Sequence, residues 1–336
     1  VLLLREDVPV RPAVDVGELD RRRARRAIAL LACAAVAVIA LFMTYELRGS
    51  LAFALELRAK KAAGMALVGV ALGTATVLFH TATGNRILTP SLMGFDALYL
   101  LVQTGAAYFL GTFAFLAIDE RLRFGVQVAL MMGFAVGLHR TFLTRAREDL
   151  AALLLVGVVL GGMFASLSSL VGRLLDPNEY ATLQDQFFAS FATVDEQLLG
   201  VAALGQVVLL VLVWRRTAHL DVVALGRPTA VALGIDHRKA LDRTLMAVAA
   251  MVSVATALVG PITFLGLLVA HLAYRATGTL RHRYTIPAAS LAGVALLIGA
   301  QFAIEQYFGF ETRAGIVINF FGGATFIALL LREHRR

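Results

Sequence analysis

Apolar residues come in long runs along this chain, and the polar residues are gathered between them. A run of ~18 or more apolar residues reads as a membrane-crossing helix, because ~20 residues at about 1.5 Å each match a hydrocarbon core of ~30 Å. Apolar segments centre on about 27–45, 62–80, 91–115, 124–142, 150–174, 197–214, 244–261, 263–276, 286–304 and 314–331. The pattern predicts an all-α polytopic membrane protein of about ten spans, some of them short. Residues 1–26 form a polar N-terminal tail, and 27–332 form a single transmembrane domain.

Several connecting stretches have a pattern of their own. The segment 176–196 is polar, yet Phe187, Phe188 and Phe191 fall at helical spacing, which predicts an amphipathic helix over about 178–196 lying at the outer surface. The stretch 215–243 has the grammar of two short helices. Gly226 breaks the first, Pro228 suits the first turn of the next, Gly234 suits a left-handed helix end, and Asp236 can cap the helix after it. Polar breaks at 84–91 and 260–266 interrupt or join apolar runs with almost no loop. Non-helical backbone is tolerated at membrane depth where it is buried in protein or lines a cavity, so the two breaks predict discontinuous helices around a pathway; an ordinary turn is the plainer reading of each. Gly69/Gly73, Gly133/Gly137 and Gly157/Gly161 each place two glycines on one helical face, the spacing that lets helices approach closely in lipid.

Composition sharpens the class. The chain is 59% hydrophobic and 16% charged, where a soluble domain averages about a quarter charged. The net charge of +8 could point to nucleic acid, but its distribution points elsewhere. With the N-terminus inside, 23 of the 31 Lys and Arg fall on the predicted inner side, including the run Arg21–Arg26. This is the positive-inside bias, and it puts both termini in the cytoplasm. Arg58, Lys60 and Lys61 stand on the outer side against that bias. They read either as a docking site for an acidic partner or as side chains snorkelling to lipid headgroups.

The chemistry of catalysis is missing. Lys60, Lys61 and Lys239 are the only lysines and none follows glycine, so no phosphate-binding loop can be read. One cysteine, Cys33, and seven histidines in seven different segments offer no metal-binding spacing. No catalytic residue, metal or bound cofactor is expected, and the chain is not read as an enzyme. Asp96 is the one carboxylate inside an apolar run, which makes it a candidate for a transport pathway. A bond to nearby backbone is the alternative. His271 reads as a packed or interfacial residue.

At these residues the chain resembles the permease subunits of ABC importers for iron chelates and cobalamin. The likeness covers nearly everything after residue 27. Gly226-x-x-x-Ala230-x-x-Leu233-Gly234-Ile235 is similar to the family's cytoplasmic loop signature. Gly260-Pro261-Ile262-x-Phe264-x-Gly266-Leu267, with His271 and Arg275, is similar to its Gly-Pro motif. Gly315-Ile316-Val317 with Gly322-Gly323 resembles its final span, and the phrase from Asn85 to Asp96 resembles a ferric-siderophore branch. The chain departs from the pattern in Asn85-Arg86-Ile87-Leu88, in Ala270-His271-Leu272, and in Arg58-Ala59-Lys60-Lys61, which loses a proline.

The resemblance implies a cobalamin-importer-permease-like bundle in the bacterial inner membrane, working by alternating access. It implies a second permease subunit, the same or similar, and a separate ABC ATPase that uses the ATP. It also implies a periplasmic or lipoprotein siderophore-binding protein outside, and no nucleic acid. Residue by residue, it implies ATPase coupling at Leu225, Gly226, Ala230, Leu233, Gly234 and Ile235. Docking of the binding protein falls to Arg58, Lys61 and Arg313, and the gate and pathway to Asn85, Ile87, Asp96, Gly260 and Pro261. The competing class is a stand-alone carrier driven by an ion gradient, which would need coupling carboxylates within the spans.

Overall fold

The protein, described here by a computed structural model, is all-helical over the residues the structure describes: 16–46, 50–145, 150–184, 187–191, 195–307 and 314–333. Its helices are α1 (Val16–Thr44), α2 (Leu51–Thr83), α3 (Phe95–Leu110), α4 (Thr112–Ala117), α5 (Glu120–Arg145), α6 (Leu150–Leu174) and α7 (Pro177–Gln184). They continue with α8 (Glu196–Trp214), α9 (Thr217–Val223), α10 (Arg227–Ala232), α11 (His237–Val259), α12 (Leu265–Thr277), α13 (His282–Tyr307) and α14 (Ala314–Glu333). Each apolar segment read from the sequence falls on one or more of these helices.

Among the described residues, seven helices are long and apolar enough to cross a membrane: α1, α2, α5, α6, α8, α11 and α13. That is three fewer than the expected ten, and for two of the three segments the reason is physical. The segment 91–115 is divided into a 3₁₀ turn (Pro90–Met93), α3 and α4, with Gly111 at φ 83° separating the two helices. The segment 263–276 yields only the 13-residue α12. At about 1.5 Å per residue, α12 is roughly 20 Å long, short of a hydrocarbon core.

α2 is the centre of the bundle. The most apolar window of α2 is 78% buried, whereas that of α6 is 11% buried and leaves most of its surface for lipid or another chain. α1, α11, α12 and α13 pack around α2, and its antiparallel neighbour α13 is fastened to it at three levels. At one end Lys61 pairs with Glu305. In the middle a Cβ on Gly69 would lie 2.6 Å from the Gly293 carbonyl carbon, one on Gly73 would lie 2.7 Å from the Ala289 oxygen, and Thr74 and Ser290 share a hydrogen bond of 3.1 Å. At the other end Thr81 meets His282.

Gly157 and Gly161 play the same part between α6 and the turn before α3, where Cβ atoms would stand 2.9 Å from Met93 Cα and 3.0 Å from Gly94 Cα. No neighbouring atom lies within 4 Å of a Cβ built on Gly133 or Gly137. The shared spacing of these three pairs therefore marks a close approach within the chain in two cases only.

Two further expectations change. α1 begins at Val16, so the run Arg21–Arg26 is already helical rather than part of a tail ahead of the first helix. The Arg23 guanidinium donates to the carbonyl of Arg275 (3.1 Å), in the last turn of α12. Such carbonyls lack intrahelical donors, and a cation there is favoured. Of the outer amphipathic helix expected over about 178–196, the described residues show an α-helix over Pro177–Gln184 and non-helical backbone over 188–191. Ala189 and Phe191 then insert into the main core, and the Ser190 N–H donates to the Val259 carbonyl (2.8 Å). Burying these side chains beside the end of α11 wins over extending a surface helix.

Candidate functional site

The loop 215–243 folds as its residues require. Gly226, at φ 93°, leads into α10 with Pro228 in the first turn. At the other end the Gly234 N–H donates to the Val231 carbonyl and the Ile235 N–H to the Ala230 carbonyl, both at 2.9 Å, with Gly234 at φ 77°. This is the left-handed helix end that favours glycine. Asp236 caps α11, its carboxylate accepting from the Lys239 N–H (3.1 Å). The two short helices are not equivalent. α9 buries Leu220 and Val223 in the main core, whereas α10 buries only Ala230, and Val231 together with the flanking Leu225 and Leu233 is more than half exposed.

Below α9 lies a polar junction that no spacing in the sequence announces. Asp221 Oδ1 accepts from the His282 backbone N–H (2.8 Å) and meets His282 Nδ1 at 2.6 Å. The opposite ring nitrogen, Nε2, lies 2.6 Å from Thr81 Oγ1 in the last turn of α2. Burial raises the Asp221 carboxyl, but the bonds from the His282 ring and backbone and the charges of His282 and Arg281 outweigh it. The group is held below the ordinary carboxylate range.

Just beyond, α2 ends at Gly84 (φ 63°) and the chain doubles back along the bundle. Asn85 Oδ1 accepts from the Ile87 N–H (2.9 Å) and closes the turn. His80 Nε2 sits 2.9 Å from the Leu88 carbonyl, and its Nδ1 sits 3.1 Å from the Tyr274 hydroxyl. Arg86 lies over the Tyr274 ring, 5.8 Å from its centroid. Asn85 is exposed and Ile87 half-buried.

The second break lies beside the middle of α2, where Gly266 faces Thr76 and Leu72. Gly260, at φ 96°, packs on the Ala189 backbone, and Pro261 is buried. The second break is tied to α3 through a side chain: the Thr263 hydroxyl donates to Asp96 Oδ2 (2.7 Å), in the first turn of α3. A carboxylate there complements the positive end of the helix. The residues expected at the gate thus form two groups. Asn85 and Ile87 stand at the end of α2, while Asp96, Gly260 and Pro261 belong to the other break or touch it.

The outer cations are engaged within the chain. Arg58 Nη1 donates to the Phe42 and Tyr45 carbonyls (2.8 and 2.7 Å), satisfying the end of α1. Lys61 pairs with Glu305 at 3.1 Å, with the side chains 14% and 8% exposed. Lys61 is therefore largely enclosed within the bundle. Lys60, which the docking expectation left out, is more exposed and bridges Glu56 and Glu196. Arg313 lies outside the described residues. His271 packs edge-on against His80, as a packed residue would. Among the described residues, no group of three or more His, Cys, Asp or Glu could hold a metal ion.

A buried central helix, interrupted helices meeting at its flank, and a folded loop beside a polar hinge define a multi-pass membrane permease. The chain belongs to the FecCD transport family, whose model matches residues 27–332. It is 42% identical over 308 residues to the petrobactin import system permease protein YclO of Bacillus subtilis, covering 92% of this chain and 98% of that one. It is 33% identical to the petrobactin import system permease protein FatC of Bacillus anthracis, over 80% of this chain and 76% of the relative. In fold it is similar to a metal-chelate type ABC transporter in an inward-facing conformation. The TM-score there is 0.79 at 19% identity, covering 92% of this chain and 99% of the other.

Proposed function

We propose that this chain is the permease subunit of an ATP-driven importer that carries a ferric siderophore inward by alternating access. The observation that carries this reading is its likeness, along nearly the whole chain, to a petrobactin import permease. Petrobactin is accordingly the chelate to test first.

In this reading the bundle over 27–332 has ten spans in the bacterial inner membrane, with both termini in the cytoplasm. The segments that fail the length criterion, α12 above all, are shielded by protein and need not match the hydrocarbon thickness alone. Leu265, Leu267, Val269 and Ala270 are almost fully buried, which supports this for α12. A second permease subunit, the same or similar, packs beside the chain to complete the pathway. A siderophore-binding protein docks at the outer end through Arg58, Lys61 and Arg313, where half-buried Lys60 also bridges the exposed Glu56 and Glu196.

Energy comes from a separate ABC ATPase seated on α10. Exposed Leu225, Val231 and Leu233 supply its apolar contact, and Gly226, Ala230, Gly234 and Ile235 hold the shape. Asn85 and Ile87 gate the inner mouth, and Asp96 with Gly260 and Pro261 holds the pathway at the other break.

Reconstitution of the permease with its ATPase in vesicles should give uptake of ferric petrobactin only when both ATP and the ATPase are present. Uptake by the permease alone on a proton or sodium gradient would establish the ion-coupled carrier instead. Gly234→Val tests the coupling loop. It places a β-branched residue at φ 77°, where a non-glycine residue costs ~1–2 kcal/mol, and so shifts Leu233 and Ile235. ATP-driven uptake should fall by about tenfold with membrane insertion unchanged. Normal transport by this variant would reduce the loop to a topological anchor.

A further inference from the structure

We infer that Asp221, His282 and Thr81, together with His80, are the positioning residues that carry movement of the coupling helices to the loop at the inner end of α2. The inference rests on the importer reading and deepens it, because it says which side chains join the ATPase-facing loop to the gate.

Division of labour in the loop is the first ground. α10 and its flanks expose Leu225, Val231 and Leu233, so they have surface to offer a partner, whereas α9 is set into the bundle through Leu220 and Val223. α10 meets the bundle through α9 on one side and α11 on the other, and α9 is the side that carries a buried histidine contact. α9 packs on α2, α11 and α13.

Direction is the second. Apolar contacts resist separation but allow sliding, since dispersion and burial have little angular preference. Hydrogen bonds between buried groups are directional, and leaving one unmade exacts the full desolvation cost of the orphaned partner. His282 is 1% exposed and carries directional bonds on both ring edges, to half-buried Asp221 and Thr81. A carboxylate only accepts, so Nδ1 facing Asp221 bears a proton. The other edge reaches Thr81. One rigid ring therefore spans α9 and α2 from the first residue of α13, with heavy-atom distances of 2.6 Å on each side.

The path continues without a gap. His80, the residue before Thr81 on α2, is 3% exposed and binds the Leu88 carbonyl through Nε2 at 2.9 Å. Leu88 lies in the loop that begins at Gly84, whose turn Asn85 closes on Ile87. From Asp221 to that loop every step is a direct hydrogen bond or a helical peptide link. The Tyr274 hydroxyl on the other edge of His80 ties the same point to α12. A displacement of α9 thus cannot leave the last turn of α2 and the gate loop unmoved without breaking one of these polar contacts.

The test uses the full complex of this permease with its ATPase in vesicles, in a Cys33→Ala background so that Arg86→Cys, at an exposed position of the same loop outside the gate pair, is the chain's only thiol. Three readouts are taken: ATP hydrolysis, uptake of ferric petrobactin, and the rate at which a membrane-impermeant maleimide labels position 86 with and without ATP. Thr81→Val removes the hydroxyl at nearly constant volume and Thr81→Ser restores it. In Thr81→Val, uptake should fall by about tenfold or more, hydrolysis should continue, and labelling should stop responding to ATP. Thr81→Ser should recover all three. His282→Asn keeps a donor toward Asp221 and loses the edge that faces Thr81. It should reproduce the uncoupling, and it decides the matter if Thr81→Val does not assemble. ATP-dependent uptake that persists at the reference rate in these variants, with labelling still responsive, would overturn the inference alone. A reference complex with no ATP-dependent uptake would overturn the importer reading and the inference with it.

Discussion

Gly69→Val is expected to cost the folded protein about 3 kcal/mol and to remove most of it from the detergent-soluble, monodisperse fraction. A Cβ at this position would lie 2.6 Å from the Gly293 carbonyl carbon, 2.7 Å from the Val294 nitrogen and 2.9 Å from the Gly293 oxygen. All three are main-chain atoms of a helix, so no rotamer change relieves the clash; α13 has to move away from α2. That separation would also open the Thr74–Ser290 hydrogen bond and strain the contacts at both ends of the pair. The penalty therefore sits at the top of the usual range for overpacking. Gly133→Ala is the matched control. It has the same glycine spacing, but no atom lies within 4 Å of its Cβ, and alanine gains ~0.5–1 kcal/mol over glycine inside a helix. Thermal unfolding in detergent should rank the two variants in opposite directions from the reference. Equal stability of Gly69→Val and the reference would mean that the α2–α13 approach is looser than described.

Lys61→Met is the second large effect, at ~3–5 kcal/mol. Lys61 and Glu305 face each other at 3.1 Å with side chains 14% and 8% exposed, and the Gln301 amide donates to the same carboxylate oxygen at 2.9 Å. Removing the ammonium leaves a carboxylate with little water to solvate it, and that orphaned charge sets the cost rather than the intrinsic strength of the pair. The double variant Lys61→Met/Glu305→Leu should accordingly recover most of the loss, leaving chiefly the unpaired Gln301 amide. A double-mutant cycle read by denaturant or thermal unfolding should give a coupling of about 2 kcal/mol. Additive losses would show that the two groups do not depend on each other.

These two expectations separate what was legible in the chain from what was not. Glycine pairs at Gly69/Gly73, Gly133/Gly137 and Gly157/Gly161 are indistinguishable as sequence, yet only two bring main chains together within this chain. Lys61 looked like a misplaced outer cation because charge bias along a sequence says which side of the membrane a residue faces. It does not say whether a carboxylate far along the chain turns to meet it; Glu305 is 244 residues away. The same holds for His282, which is 61 residues from Asp221 and 201 from Thr81. Scattered histidines carry no spacing signal, so the junction could not be found by motif. An aspartate set among arginines in a loop that already looked folded was the only local cue.

Local physics determined the rest. Runs of apolar residues must become helices wherever backbone groups cannot reach water, and each such run is helical here. Gly226, Pro228, Gly234 and Asp236 specify the ends of α10 and the start of α11 through their own dihedral preferences and side-chain reach, so the local shape of that loop follows from its sequence. The breaks at Gly84 and Gly260 were visible for the same reason. How the second is tied to α3 was not, because the bond that does it, Thr263 to Asp96, spans 167 residues. By itself the sequence determined class, topology bias and the local shape of the loop 215–243, since those depend on neighbours within a turn or two. Tertiary structure alone decided which cation is buried, which glycine pairs are contacts, and which histidine joins α9 to α2, since each depends on partners brought together only by packing around α2.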